Sequence, residues 1–349
     1  MSDKPEEISE QEALQNLAYL TRDYVPGATW TVGGAFRFDR SLKLMANYLG
    51  SNLGVRRVDN VMGCPPCLWT LDWFVQRRPI AFARYTELLA AYAAMNVGVH
   101  LVFDNPFIPD ADLDDPYGYM LVEELLRNNK ANRNAISVAS DKLRDKLVAR
   151  FPGAPVVCHL NRLVAEQGRR TPALYNKLAT QYTRVALHPA DAVKPSIINE
   201  IKQPELFDVV VNDPCLRNCP VRREHLRVLA AMRKDSYDTT LMQQRSNLIS
   251  RTECQKQDPA ALAQKASCNL THDEIRALYA RGMRHYLIQG QQFRNEMTLL
   301  WDIFQCMLDR APEISNKAAL ISTSAMAEFG RASEELPSGL RQFSFTNYE

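Results

Sequence analysis

An alternation constrains this chain most. Short β-branched runs that end in polar residues are each followed by a stretch whose apolar positions fall at helical spacing. The runs lie at 55–61 (VRRVDNV), 99–104 (VHLVFD), 135–139 (AISVA), 156–160 (VVCHL), 183–187 (TRVAL), 207–211 (FDVVV) and 284–288 (RHYLI). Between most of them lie amphipathic segments such as TELLAAYAAMNVG, DKLRDKLVARFPG and TPALYNKLATQY, with the 3.6-residue period of a half-buried helix. Strands alternating with helices predict a parallel sheet with crossover connections.

Two architectures satisfy that order, an open doubly wound sheet and a closed barrel. The first run leads into NVMGCPPC, which lacks the G-x-G-x-x-G turn of dinucleotide-binding sheets. The expected fold is therefore α/β, a (β/α)8-like TIM barrel with some irregularity, seven of its strands legible and an eighth unassigned. A length of 349 residues suits a barrel with insertions. The gap from 211 to 284 is too long for one loop in a compact domain. It predicts helices and an inserted segment at 235–270, after the sixth legible strand. Residues 1–25 read as an acidic helix and linker, 26–310 as the barrel, and 311–349 as a C-terminal helix and tail able to dock a protein partner.

Charge narrows the function classes. Lys and Arg number 42 against 40 Asp and Glu, a net of +2, which argues against a protein that coats nucleic acid or an acidic membrane. No apolar run approaches 18 residues, so a membrane span is not expected. The segment MSDKPEEISEQEALQNLAYL is acidic where a secretion signal is basic and then apolar. A reducing cytoplasm is the expected location, and there cysteines serve as buried thiols, metal ligands or redox groups.

The eight cysteines are Cys64, Cys67, Cys158, Cys215, Cys219, Cys254, Cys268 and Cys306. Cys215 and Cys219 sit in VVVNDPCLRNCPVRREHL, where an apolar strand runs through Asn212 into a turn and Pro220 opens a helix carrying Arg222, Arg223 and His225. In a barrel this turn lies on the face that holds the chemistry. With Cys254 and Cys268, four thiolates fall within one strand–helix–insertion unit, and four thiolates close a [4Fe-4S] cluster. Zinc is the alternative, although Cys254 and Cys268 are spaced too widely for a second zinc knuckle. Unliganded buried thiols are the plainer possibility. Cys64-Pro-Pro-Cys67 has the spacing of a dithiol redox motif, and packing competes with it. Asn105 and Asn212 end strands and can orient a polar substrate, or simply form turns. His225 can move a proton and Arg222 can bind an anion, or both can line a solvated helix face. Trp69 and Trp73 read as packing on one face of a helix, and the arginines from Arg217 to Arg233 suit either a phosphate-bearing substrate or an exposed helix surface.

VNDPCLRNCPVRREHL is similar to the N-E-x-C-x-x-x-C-P-x-R-x-x-H pattern of the collagenase-like peptidase superfamily, the U-type peptidases. YLGSNLGVRRVDNVMGCPPC with VHLVFDNPFI resembles that group's first two strands, and LTHDEIRALYARGMRHYLIQGQQF resembles its closing strand. Asp213 stands where Glu is usual, and Gln291 follows Gly290 where Arg is usual. The resemblance spans about residues 50–295. It implies a barrel with a cysteine-bound iron–sulfur cluster and oxygen-independent hydroxylation or other redox modification of a small or RNA-linked substrate. The combined expectation is a [4Fe-4S] site (or zinc) on Cys215, Cys219, Cys254 and Cys268, with Asn105, Asn212, Arg222 and His225 handling substrate. A peptidase or other hydrolase is the alternative, although no Ser/His/Asp, H-E-x-x-H or G-x-S-x-G arrangement occurs. A non-catalytic barrel with a structural metal, acting as a binding protein, is a third reading.

Overall fold

Eight short strands close on one another in sequence order, every neighbouring pair parallel, and β1 pairs with β8 to seal the ring. They are β1 Thr29–Gly33, β2 Val58–Gly63, β3 Gly98–Phe103, β4 Ala135–Val138, β5 Val156–Cys158, β6 Arg184–Leu187, β7 Phe207–Asn212 and β8 His285–Ile288. This computed structural model describes residues 24–39, 42, 58–71, 80–129, 133–213, 215–233, 238–252, 269–289, 303, 306 and 307. The barrel expected from the alternation is thus present, with seven strands within one to three residues of their predicted limits.

The eighth strand is β1, at the front of the chain. Its presence makes the cysteine-bearing turn follow the seventh strand, where sequence reading counted the sixth. TWTVG is bracketed by Gly27 at φ +76° and Gly34 at φ +96°, left-handed turns that a short strand between them hides easily. Most of the predicted N-terminal segment 1–25, and the C-terminal segment 311–349, lie outside the described residues.

The helices are α1 Phe82–Ala94, α2 Pro116–Arg127, α3 Asp141–Arg150, α4 Leu160–Ala165, α5 Pro172–Ala179, α6 Pro189–Ala192, α7 Pro195–Ile198, α8 Arg222–Met232, α9 Thr239–Ser250 and α10 His272–Ala280. Several start as their sequences dictate. Asp115, Ser140 and Thr171 accept hydrogen bonds from first-turn amides, and Thr271 with Glu274 forms a capping box.

The two-residue period of the strands produces two separate cores. Leu101, Phe103, Val209, Val211, Tyr286 and Ile288 point outward and join the apolar faces of the helices. Met62, Val102, Ala186, Val210 and Leu287 point inward. The interior is filled, leaving a cavity of about 10 Å³ beside His100, Ser137, Asp208 and Gln289, room for about one water. Its amino-terminal end is polar: Arg184 donates to Asp208 at 2.8 Å and lies 3.4 Å from His100, and Thr29 meets His285 at 2.6 Å.

Helix α8 departs from the usual barrel plan. Its Leu226 and Leu229 belong to the inward-facing core, packed with Val102, Val210 and Leu287. Arg223 at its start donates to the Ala165 carbonyl of α4, and Arg233 at its end donates to the Cys67 carbonyl beyond β2. A helix that reaches from the β5 and β7 ends to the β2 end crosses the carboxyl-terminal mouth and plugs it. On its other side Val228 and Met232 pack with Leu248 of α9. Helix α9 is the described part of the predicted insertion.

Residues 67–71 form a turn, not the helix expected to carry Trp69 and Trp73. Trp73 lies outside the described residues, and Trp69 is fully buried against Phe103 and Tyr119. Gly118 of α2 passes so close that a Cβ there would fall 2.5 Å from the Trp69 ring. Since both ring and helix are packed, Gly118→Ala is expected to destabilise the protein by about 1–3 kcal/mol through overpacking. Urea unfolding of the variant reads this directly, and an unchanged midpoint would show that the ring can retreat.

Candidate functional site

The carboxyl end of β7 delivers Asn212 and Asp213 to the mouth, and the chain then turns through Cys215 and Cys219 into α8. Cys219 N–H donates to the Leu216 carbonyl at 3.1 Å, which closes the turn and brings the two cysteines together. Both are half-buried free thiols. The Cys215 thiol donates to Cys219, and this contact with burial pushes Cys215 far above the ordinary thiol range. The same hydrogen bond, the amides of Val221 and Arg222 at the start of α8, and the Arg222 guanidinium pull Cys219 down to about 6. The pair therefore holds one proton at neutral pH, with the thiolate on Cys219.

Arg222 is the hub of the site. It is buried, and its guanidinium lies 2.6 Å from the equally buried Asp213 carboxylate. Three histidines around it stay uncharged. Burial holds His188 down to about 2, with Arg222 and Arg170 adding to the effect. Burial and Arg222 also lower His159, against the pull of Asp104 and Asp213. His225, on the first turn of α8, is lowered to about 4 by burial, Arg245 and Arg222. A neutral His225 does not serve as a standing cation for a substrate anion. His159 and His188 also cap helices, their Nδ1 atoms accepting from the amides of Asn161 and Ala190.

The predicted residues thus fall into separate groups. Cys215, Cys219, Arg222 and His225 are brought into one neighbourhood. Asn212 adjoins it, but its amide clasps β8, accepting from Gln289 N–H at 2.6 Å and donating to the Gln289 carbonyl at 3.4 Å. Asn105 is elsewhere, its Oδ1 holding the Phe107 amide in a turn. Cys64 and Cys67 pack into the outer core on the far side of the sheet from the barrel interior. They do not face the mouth beside Cys215. Cys254 and Cys268 lie outside the described residues. Asp213 and His159 are the contributors that sequence reading undervalued. The sequence signals for Asp213 are its place at the acidic position of the cysteine-turn pattern, directly after a strand, and an arginine nine positions on to match it.

Two soft thiol donors, one already a thiolate, in a turn rich in amide donors fit half of a four-thiolate site. Among the described residues no group of three or more His, Cys, Asp or Glu side chains converges to hold a metal ion. Nor is any described helix long and apolar enough to cross a membrane.

No protein-family model matches the chain, and no curated protein matches it. Among solved structures it is similar to the U32 peptidase Mk0906, with 12% identity, a TM-score of 0.45, and coverage of 76% of this chain and 94% of that one. The barrel itself rests on the strand register described above.

Two measurements follow from these protonation states. In chain freed of metal by a chelator, Cys219 should alkylate with iodoacetamide faster than Cys215 at pH 7, and its rate should fall as pH drops through about 6. Equal rates by peptide mass spectrometry would mean that the pair shares no proton. The second concerns stability. Five of the six histidines, His100, His159, His188, His225 and His285, are held below the ordinary range. The unfolded chain takes up protons on them below about pH 6.5 while the folded chain does not, so stability is full above that pH and declines as it falls toward about 4. Urea midpoints at pH 7 and pH 5 in constant salt test this, and equal midpoints would contradict the burial of these rings.

Proposed function

We propose that the chain is an iron–sulfur barrel enzyme that carries out redox chemistry, oxygen-independent hydroxylation or a related modification, on a small or RNA-linked substrate. The observation that carries this reading is the proton-sharing pair Cys215 and Cys219 at the barrel mouth, poised as a soft-donor site. Cys254 and Cys268 would supply the remaining thiolates, and zinc is the alternative occupant. When bound, a cluster supplies one-electron transfer at the carboxyl face of the barrel.

The chain's own residues prepare that position. Arg222 offsets the negative charge of the thiolates, and Asp213 holds Arg222 in place so that its charge stays fixed. The amides of Val221 and Arg222 donate to Cys219 and orient its sulfur. His159 and His188, neutral and buried, keep further positive charge away from the thiols. Leu226 and Leu229 exclude water from the barrel interior.

A second reading is supported by that same apolar plug. With the mouth closed and the interior filled, the barrel has no deep substrate cavity among the described residues, as would suit a binding protein whose metal is structural. The two readings separate on metal removal: an enzyme keeps its fold, whereas a structural site melts with its metal. A hydrolase would turn over in air without any cluster.

The test is anaerobic purification with iron and sulfide analysis and a visible spectrum, for the natural chain and for Cys215→Ala. About four irons per chain with broad absorption near 400 nm, lost in the variant, is the expected result. A colourless, iron-free and zinc-free protein that folds normally would overturn both readings.

A further inference from the structure

A groove opens at the far end of α8 from the cysteines. Its volume is about 350 Å³, and its lining includes Asn105, Phe107, Arg227, Ala230, Ala231 and Arg233, within the range of small-molecule sites. One wall is apolar and shallow, because Ala230 and Ala231 put only methyl groups where longer side chains would fill the space. Phe107 lies opposite, with the guanidinium groups of Arg227 at 5.4 Å and Arg223 at 5.8 Å from its ring centre.

Two cations line this space, and among the described residues neither is held in a tight ion pair. Arg227 has only Glu224 at 3.6 Å on the exposed helix surface, a contact that contributes little in water. Arg233 is anchored: its Nε donates to the Cys67 carbonyl at 2.7 Å. Among the described residues no partner engages its two terminal nitrogens. A guanidinium held by one nitrogen presents its other donors in a fixed fork, the arrangement that matches phosphate or carboxylate oxygens. Asn105 adds its amide nitrogen, since Phe107 occupies only the oxygen.

We propose that this groove binds a nucleoside monophosphate, with the phosphate on Arg233 and Arg227 and the base against Phe107 and the two alanines. The inference rests on the groove alone and stands whether or not the cysteines hold a cluster.

The experiment is isothermal titration of the full chain with AMP, adenosine and inorganic phosphate, repeated on Arg227→Gln, Arg233→Gln and Ala231→Leu, with thermal unfolding run on each. AMP should bind, with adenosine and phosphate each at least tenfold weaker. Arg227→Gln and Arg233→Gln should each weaken AMP about tenfold, and Ala231→Leu should abolish binding by filling the groove without altering charge. Should Arg233→Gln fail to fold, the other two variants carry the test. No AMP binding at millimolar concentration, or an AMP affinity unchanged in Arg227→Gln and Ala231→Leu, overturns the proposal. So does phosphate that binds as tightly as AMP, which would mark a plain anion contact.

Discussion

The Asp213–Arg222 ion pair is the constraint on which the upper half of the molecule depends. Neither charge could be buried alone, because an unpaired ion in so dry a place costs several kcal/mol. Together they fix where β7 ends and where α8 begins, since one partner belongs to each. Once that junction is set, the turn between them has little freedom: Cys215 and Cys219 meet, the first amides of α8 aim at a sulfur, and three histidines are left beside a permanent positive charge. The protonation pattern of the site therefore has two sources: the hydrogen bond between the two cysteines sets the thiols, and burial with the charge of Arg222 keeps the histidines neutral.

The same junction sends α8 across the barrel rather than down its side. Barrel enzymes usually keep that face open to loops and ligands, yet here Leu226 and Leu229 close it. Among the described residues, the thiol turn near the start of α8 and the groove near its end both lie along the edges of this helix.

How much of this the sequence discloses depends on how local the cause is. The strands at 99–104, 135–139 and 207–211 announce themselves because their β-branched runs are bounded by turns, and counting them leads directly to the barrel. Thr29–Gly33 escapes because five residues with two glycine turns look like a loop until β2 and β8 are there to pair with it. The spacing of Cys215 and Cys219 is legible for the same local reason. That Cys64 and Cys67 point into the outer core is not, for it depends on which face of the sheet their turn adjoins. The path of α8 was hidden too: Leu226 and Leu229 have ordinary helical spacing, and only the closed ring of strands turns them into a plug.

Arg222–Met232 makes α8 eleven residues long, a rod of about 16 Å. It is pinned at one end by Asp213 and at the other by the Cys67 carbonyl, with packed side chains on two faces between. A rod held in this way behaves as a lever: a tilt of about 4° at the thiol turn carries the far end about 1 Å, over that length. The thiol turn and the Arg233 fork thus share one rigid body, so a displacement at either is felt at the other without any intervening residue having to change its shape.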